Sequence, residues 1–195
     1  MKERIEMCLS GSGGQGLILA GIILAEAAGI YDGKEAVQTQ SYGPEARGGA
    51  SRSEVVISND TIDYPKVIKS DILLALTQTA CDKYVKNLNK CGILVADSTL
   101  VTEVPDISNK IYLFPIAETA QRKFGTKLVT NIISLGIIVG LTEVVSQEAI
   151  QKALCSRVPV KAMEVNEKAL LLGFAIAKDL KIKNKRSGNK AKSNL

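Results

Sequence analysis

The chain has 195 residues, a formal net charge of +5 and an ordinary balance of apolar and charged residues, which suits one domain with a full core. It contains no histidine and no tryptophan, which excludes histidine-based acid–base or nucleophilic catalysis and argues against stacking platforms for single-stranded nucleic acid. The charge is uneven: residues 178–195 hold seven Lys or Arg and one Asp, a local +6, so residues 1–177 sum to −1 (5 minus 6). This predicts a nearly neutral domain over 1–177 and a solvated, disordered basic tail over 178–195.

The four cysteines, Cys8, Cys81, Cys91 and Cys155, form no Cys-x-x-Cys pair. Without histidine to complete a ligand set, a zinc or iron–sulfur site within this chain is not expected, and the thiols read as small core residues of a reduced, cytoplasmic protein. No apolar run reaches membrane-spanning length. Lys2 and Arg4 ahead of the apolar stretch 17–25, with Ala25-Glu26-Ala27, imitate a secretory leader. Glu3, Glu6 and an intervening glycine loop argue against that reading.

In chain order, residues 3–10 predict a first strand, and a glycine-rich turn follows. Residues 17–28 are apolar on nearly every side, as in a buried helix. Residues 35–40 predict a second strand, so strand, turn, helix and strand form a βαβ unit with parallel strands and a right-handed crossover. Strands are predicted over 51–58, 71–77, 92–97 and 111–114, with a short edge piece over 62–67, where Pro65 cannot serve a central ladder. A helix is predicted over 79–88. From Ile116 onward only helices are expected: 116–124, 128–142, 146–155 and 161–177. In the last, Val165, Ala169, Leu172 and Ile176 share one face and read as core packing. The fold class is α/β: a mainly parallel, Rossmann-like sheet with helices on both faces and a helical C-terminal third.

Two stretches carry the functional signal. Gly11, Gly13, Gly14, Gln15 and Gly16 give Gly-x-Gly-x-x-Gly between a strand and a helix. The unpaired N–H groups and positive dipole end of such a helix favour an anion, and glycines let a phosphate approach. The second strand ends in Gln38-Thr39-Gln40, without the carboxylate a dinucleotide ribose needs, and no Lys-Ser/Thr follows Gly16 to make a Walker loop. The glycines could equally serve tight strand-to-helix packing. The second stretch, Gln38 to Ser53, is polar and glycine-rich. Within it Tyr42, Gly43, Glu45, Arg47 and Gly48, with Arg52 beyond, suit a phosphorylated or carboxylate ligand, or a protein contact. Glu45 and Arg47 could also simply pair.

Gly-x-Gly-Gly-Gln-Gly followed by Ser41-Tyr42-Gly43-Pro44-Glu45-Ala46-Arg47-Gly48-Gly49 resembles the gamma subunit of 2-oxoacid:ferredoxin oxidoreductases. The resemblance runs over residues 4–177, through the strand end Val95-Ala96-Asp97-Ser98 and Phe124-Gly125…Asn131, and is most like the 2-oxoglutarate type. It implies a component of a hetero-oligomer that decarboxylates a 2-oxoacid oxidatively with coenzyme A and passes electrons to ferredoxin or a similar acceptor. Alpha, beta and delta partners are implied, the first two carrying thiamine diphosphate with magnesium, and iron–sulfur clusters lying in the beta and delta chains. For this chain it implies no catalytic residue, no metal ligand and inactivity in isolation, with a part in subunit packing and coenzyme A handling. The cofactor-binding candidates are then Gly11, Gly13, Gly14, Gln15, Gly16, Tyr42, Gly43, Glu45, Arg47 and Gly48. Arg47 would make a bidentate contact with a phosphate or carboxylate, or this loop would be the subunit interface, and isolated chains could dimerise. The alternatives are a free-standing nucleotide- or phosphate-binding protein, on the strength of the first loop alone, and a nucleic-acid or scaffold adaptor, on the strength of the basic tail.

Overall fold

The computed structural model describes residues 4–41, 50–107 and 109–192, with side chains as far as Asn184. Six strands form one sheet in the order β2-β3-β1-β4-β5-β6. They are β1 (Arg4–Ser12), β2 (Glu35–Ser41), β3 (Ala50–Ser58), β4 (Ser70–Ala75), β5 (Leu88–Asp97) and β6 (Lys110–Phe114). The helices are α1 (Leu17–Glu26), continued by a π-helical turn Ala27–Tyr31, then α2 (Gln78–Tyr84), α3 (Ile116–Phe124), α4 (Thr130–Thr142), α5 (Gln147–Arg157) and α6 (Val160–Lys192).

The α/β class holds, with one change to its first unit. β1, β4, β5 and β6 pair in parallel, but β3 lies between β1 and β2 and is antiparallel to both. The expected βαβ unit is therefore split, its two strands running the same way without touching. Side-chain character explains the order. β3 carries Val55, Val56 and Ile57, all buried, and fits an interior position. β2 carries Gln38, Thr39 and Gln40, a polar run suited to an edge. The expected edge piece over 62–67 is an irregular loop instead. It is tied down from β1: the buried Glu6 carboxylate accepts from the N–H groups of Ile68 (2.7 Å) and Lys69 (3.2 Å), and Arg4 donates to the Tyr64 carbonyl (2.8 Å).

Strand periodicity sorts the core into two layers. Met7, Leu9, Val55, Ile57, Ile72, Leu74 and Val95 face the thick layer, where α1, α3, α4, α5 and α6 pack. Cys8, Leu73, Ala75, Leu94 and Ala96 face the thin one, covered by α2 and the segment around Val101. Cys8 and Cys81 are core residues as expected, whereas Cys91 and Cys155 lie at the surface. The stripe on α6 serves the core, with Ala169 and Ile176 buried and Val165 and Leu172 packed against it.

The helix α4 is apolar on every side and buried along almost its whole length. It meets α6 at a glycine seam. A Cβ at Gly136 would overlap the Leu170 carbonyl and lie 2.8 Å from the Gly173 Cα, and one at Gly140 would lie 2.6 Å from the Ala177 Cβ. Small residues four apart on both helices thus bring the backbones into contact. α6 continues past its expected end at residue 177 to Lys192. No Pro or Gly interrupts 178–187, and cations complement a helix C-terminus.

Candidate functional site: the glycine-rich end of the sheet

β1 runs to the end of the sheet and turns through Gly13 and Gly14 into α1. Gly14 and Gly16 have φ of 86° and 70°, the left-handed region that favours glycine. Gly16 also has no room for a side chain, since its Cβ would stand 2.5 Å from the Asn131 Nδ2. That nitrogen, from the buried first turn of α4, donates to the Gly16 carbonyl (3.0 Å), which also accepts the first helical bond, from the Ala20 N–H (3.0 Å). Two donors on one carbonyl fix the joint between turn and helix.

Gln15 closes the turn from inside. Its Oε1 accepts from the Ser12 N–H (2.7 Å) and fills the space beside Gly11 that a Cβ would need. Gly11 is therefore committed to internal packing. Gly13 differs from all of these. Its φ is not in the left-handed region and a Cβ there would meet nothing within 4 Å. Neither backbone strain nor the packing of the described residues calls for glycine at that exposed tip.

The register brings the second glycine-rich stretch to the same end. Ser12 pairs with Ala50, Gly11 with Ser51 and Ser10 with Arg52, while Ser41 pairs with Arg52 from the other side. Ser41 and Ala50 are the two roots of the second loop, so it springs from beside the end of β1. Tyr42, Gly43, Glu45, Arg47 and Gly48 themselves lie outside the described residues. At the root, Arg52 stacks over the Tyr84 ring (5.3 Å to the centroid) and its Nε lies 3.3 Å from a Glu54 oxygen. Burial, then the charge of Glu54, pushes the neighbouring Cys8 thiol up to about 12. Cys8 is thus a neutral packing group here and not a nucleophile.

This is also where the chain reverses the side on which it builds. From β1 it crosses by α1 toward β3 and β2, and later returns to lay β4, β5 and β6 on the other flank. In open α/β sheets the crevice at the carboxyl ends of strands beside such a reversal is a usual place for a ligand. β4 joins in through the Leu76 N–H, which donates to the Ser10 carbonyl (2.9 Å). β5 ends in Asp97, fully buried, whose carboxylate accepts from the Ala117 N–H (2.6 Å) at the start of α3 and from the Thr99 N–H (2.9 Å) and hydroxyl (2.5 Å). Asp97 is thereby a structural brace.

Asn131 and Tyr84 are the residues that reading the sequence left without a role; Arg52, read there as a candidate ligand contact, stacks on Tyr84 beside Glu54. Asn131 sits 115 residues from Gly16, and no local pattern announces that contact. Among the described residues no group of three or more His, Cys, Asp or Glu could hold a metal ion, and no helix is long and apolar enough to cross a membrane.

The pyruvate ferredoxin/flavodoxin oxidoreductase family matches residues 6–176. The 2-oxoglutarate synthase subunit KorC of Methanocaldococcus jannaschii is 49% identical over 182 residues, covering 92% of this chain and 97% of that protein. The crystal structure of the gamma subunit of a keto/oxoacid ferredoxin oxidoreductase from Geobacter sulfurreducens is 54% identical with a TM-score of 0.82, covering 90% of this chain and 99% of that one. A chain of the 2-oxoglutarate:ferredoxin oxidoreductase from Magnetococcus marinus, solved with 2-oxoglutarate, coenzyme A and succinyl-CoA bound, is 22% identical with a TM-score of 0.81. That likeness spans 92% of this chain but 32% of that one, and shows the fold alone, set within a longer polypeptide. With its glycine turn, its second loop root and nearly its whole length inside these matches, the chain belongs to the pyruvate ferredoxin/flavodoxin oxidoreductase family, as a gamma-type subunit.

Proposed function

We propose that this chain is the gamma subunit of a 2-oxoglutarate:ferredoxin-type oxidoreductase, and that its glycine-rich end takes part in handling coenzyme A. The observation that carries the reading is the strand register, which gathers Gly11–Gly16 and both roots of the Tyr42–Gly48 loop at one end of the sheet. Among the described residues the space at Gly13, beside the N–H groups that begin α1, is open and fits an anionic group brought close to backbone. Relatives named for 2-oxoglutarate support that substrate for the complex.

In such a complex a 2-oxoacid and coenzyme A give an acyl-CoA, carbon dioxide, a proton and a pair of electrons, which the acceptor protein takes up. Bound coenzyme A supplies the thiol that receives the acyl group. The turn described here fits its anionic end, since it presents backbone N–H groups at a helix start. The resemblance assigns thiamine diphosphate with magnesium and the iron–sulfur clusters to alpha, beta and delta partners. Gly13 and Gly14 would admit the anion to the backbone, Arg47 would contact it with Tyr42 alongside, and Glu45 would orient Arg47 or touch a neighbouring subunit. Gln15 and Asn131 hold the turn that presents those N–H groups.

The test is Arg47→Ala in the reconstituted complex. A raised KM for coenzyme A with all subunits retained supports the ligand role. Loss of co-purification assigns the loop to the subunit interface. If neither changes, both roles for Arg47 are wrong.

A further inference from the structure

The end of the sheet opposite the glycine turn holds a groove that coenzyme handling leaves unused. It opens at the amino ends of the parallel strands, against the thick layer. Ile5 of β1, Ile72 of β4, Leu88 and Ile93 of β5 and Leu141 of α4 line it, and its volume is about 760 Å³, within the usual range of a small-molecule site. Ile5 and Gly11 lie on one strand, roughly 20 Å apart at about 3.3 Å per residue, so the two places are separate.

One wall of the groove is a built irregularity. β4 advances two residues, from Ser70 to Ile72, while β5 advances five, from Leu88 to Ile93. The surplus of β5 bulges out over Asn89, Lys90, Cys91 and Gly92, although the strand lies in the interior of the sheet. Two asparagine side chains pin the bulge. The Asn109 Nδ2 donates to the carbonyls of Asn89 (2.6 Å), Gly92 (3.1 Å) and Lys90 (3.2 Å). The Asn89 Nδ2 donates to the Asp71 carboxylate (2.7 Å) and the Lys69 carbonyl (3.1 Å), which brings Lys69 beside the bulge. At Gly92 the backbones close up: a Cβ there would lie 2.9 Å from the Asn89 carbonyl oxygen and 3.0 Å from that of Asp71. A bulge gives up ladder pairing and re-aims side chains, and bulges gather beside functional sites. This one sets Lys90 and Cys91, both exposed, at the groove.

The charged residues of the lining are Lys69, Lys90 and Asp71, a net +1 (2 minus 1). The Asp71 carboxylate is engaged, accepting from the Glu6 N–H (3.0 Å) as well as from Asn89. Neither lysine ammonium has a partner among the described residues. We propose that this groove binds a small monocarboxylate with an apolar tail, its carboxylate between Lys69 and Lys90 and its tail over Ile72, Ile93 and Leu141. One net positive charge suits a monoanion. The lining holds no arginine and no helix N-terminus, the groups that favour a phosphate. Leu141 and Thr142 instead bring the C-terminal end of α4 to the groove. That end repels an anion, so the tail and not the carboxylate lies toward it.

The proposal does not depend on the gamma-subunit reading. Its test uses the full-length chain, octanoate as the probe and Cys91 as the reporter. Octanoate at about 1 mM should slow alkylation of Cys91 about fivefold, as a ligand of sub-millimolar affinity would. Cys155, exposed on α5, should keep its rate. Acetate has the charge without the tail and octanol the tail without the charge, and each should protect at least about tenfold more weakly. Lys69→Gln combined with Lys90→Gln, both at the surface, should raise the half-protecting octanoate concentration about tenfold. Unchanged reactivity of Cys91 overturns the proposal. So does equal slowing of Cys91 and Cys155, which would mean an amphiphile coating apolar surface at large. Equal potency of octanol, or a double variant protected as well as the wild type, removes the carboxylate site. In the assembled complex octanoate should protect Cys91 in the same way; a Cys91 already shielded there without octanoate would assign the groove to a neighbouring subunit and overturn the proposal.

Discussion

Two sets of glycines serve opposite ends in this molecule. At the α4–α6 seam, Gly136, Gly140 and Gly173 are glycines because the chain itself fills the space where their side chains would be. At the tip of the first turn, Gly13 is a glycine although nothing in the described chain comes near. The seam buries Gly136 and Gly173 and half-buries Gly140, whereas Gly13 at the tip of the turn is exposed among the described residues. The same residue type thus fills a packing need in one place and meets no packing neighbour among the described residues in the other, and the neighbours of the missing Cβ tell the two apart.

The seam should show the largest effects. Gly136→Val and Gly173→Val should each destabilise the domain by about 3 kcal/mol or more, because the obstruction is backbone and cannot turn aside. Thermal or urea unfolding of the purified chain measures this. A loss below about 1 kcal/mol would show that the helices separate easily and that the seam is no tight contact. An intermediate case lies at Gly16, where both reasons act at once: a left-handed φ and the Asn131 side chain. Gly16→Ala and Asn131→Ala should each cost about 1–3 kcal/mol, the first through strain and the second by removing the donor to the Gly16 carbonyl. Together they should cost less than the sum, since both loosen one joint.

Element types were mostly legible in the sequence, and pairings were not. The apolar runs Asp71–Thr77 and Gly92–Asp97 announced buried strands, and the all-apolar Leu17–Ala28 a buried helix, because periodicity and length are local properties. That β3 inserts between β1 and β2 was not legible, since strand order depends on which strand tolerates an edge. The loop over 62–67 reads locally as an edge piece, but its order comes from Arg4 and Glu6, some sixty residues away. At the candidate site the first loop was legible as strand, turn and helix. Its neighbourhood with the second loop was visible only through the register of β1 and β3. Asn131 stood within the family pattern but could be tied to Gly16 only by the packing of α4.

The cysteines sharpen the contrast between interior and surface on a smaller scale. Cys91 should react with a thiol reagent on the native chain, and Cys8 and Cys81 only on unfolding. Cys155, although exposed, should react more slowly than Cys91, because burial and the nearby Glu167 carboxylate push its thiol upward. Cys8 also carries a pH signature. Its thiol is raised in the fold from an ordinary 9.0 to about 12, so the neutral form is favoured there. Its contribution to stability is complete below the unfolded value and is lost as pH rises from about 9 to 12. Cys8→Ala should make the alkaline limb of the stability curve shallower. Mass spectrometry of labelled peptides and unfolding at stepped pH check the two outcomes.

The smallest expected change in stability is at Gly13, and it isolates recognition from folding. Gly13→Ala has no steric reason to disturb the fold and should shift unfolding by no more than about 0.5 kcal/mol. Gly13→Val should do nearly the same in the isolated chain, because a Cβ there meets none of the described residues within 4 Å. If the tip is where an anion or a partner meets backbone, the valine must nevertheless impair the assembled enzyme. A higher KM for coenzyme A with full subunit content would mark a ligand at the tip, and poorer subunit retention would mark a neighbour. Alanine should lie between glycine and valine in either case, because a steric block grows with size. Wild-type behaviour of the valine variant in both assays would mean that nothing approaches Gly13, and the contrast between the two sets of glycines would lose its functional half.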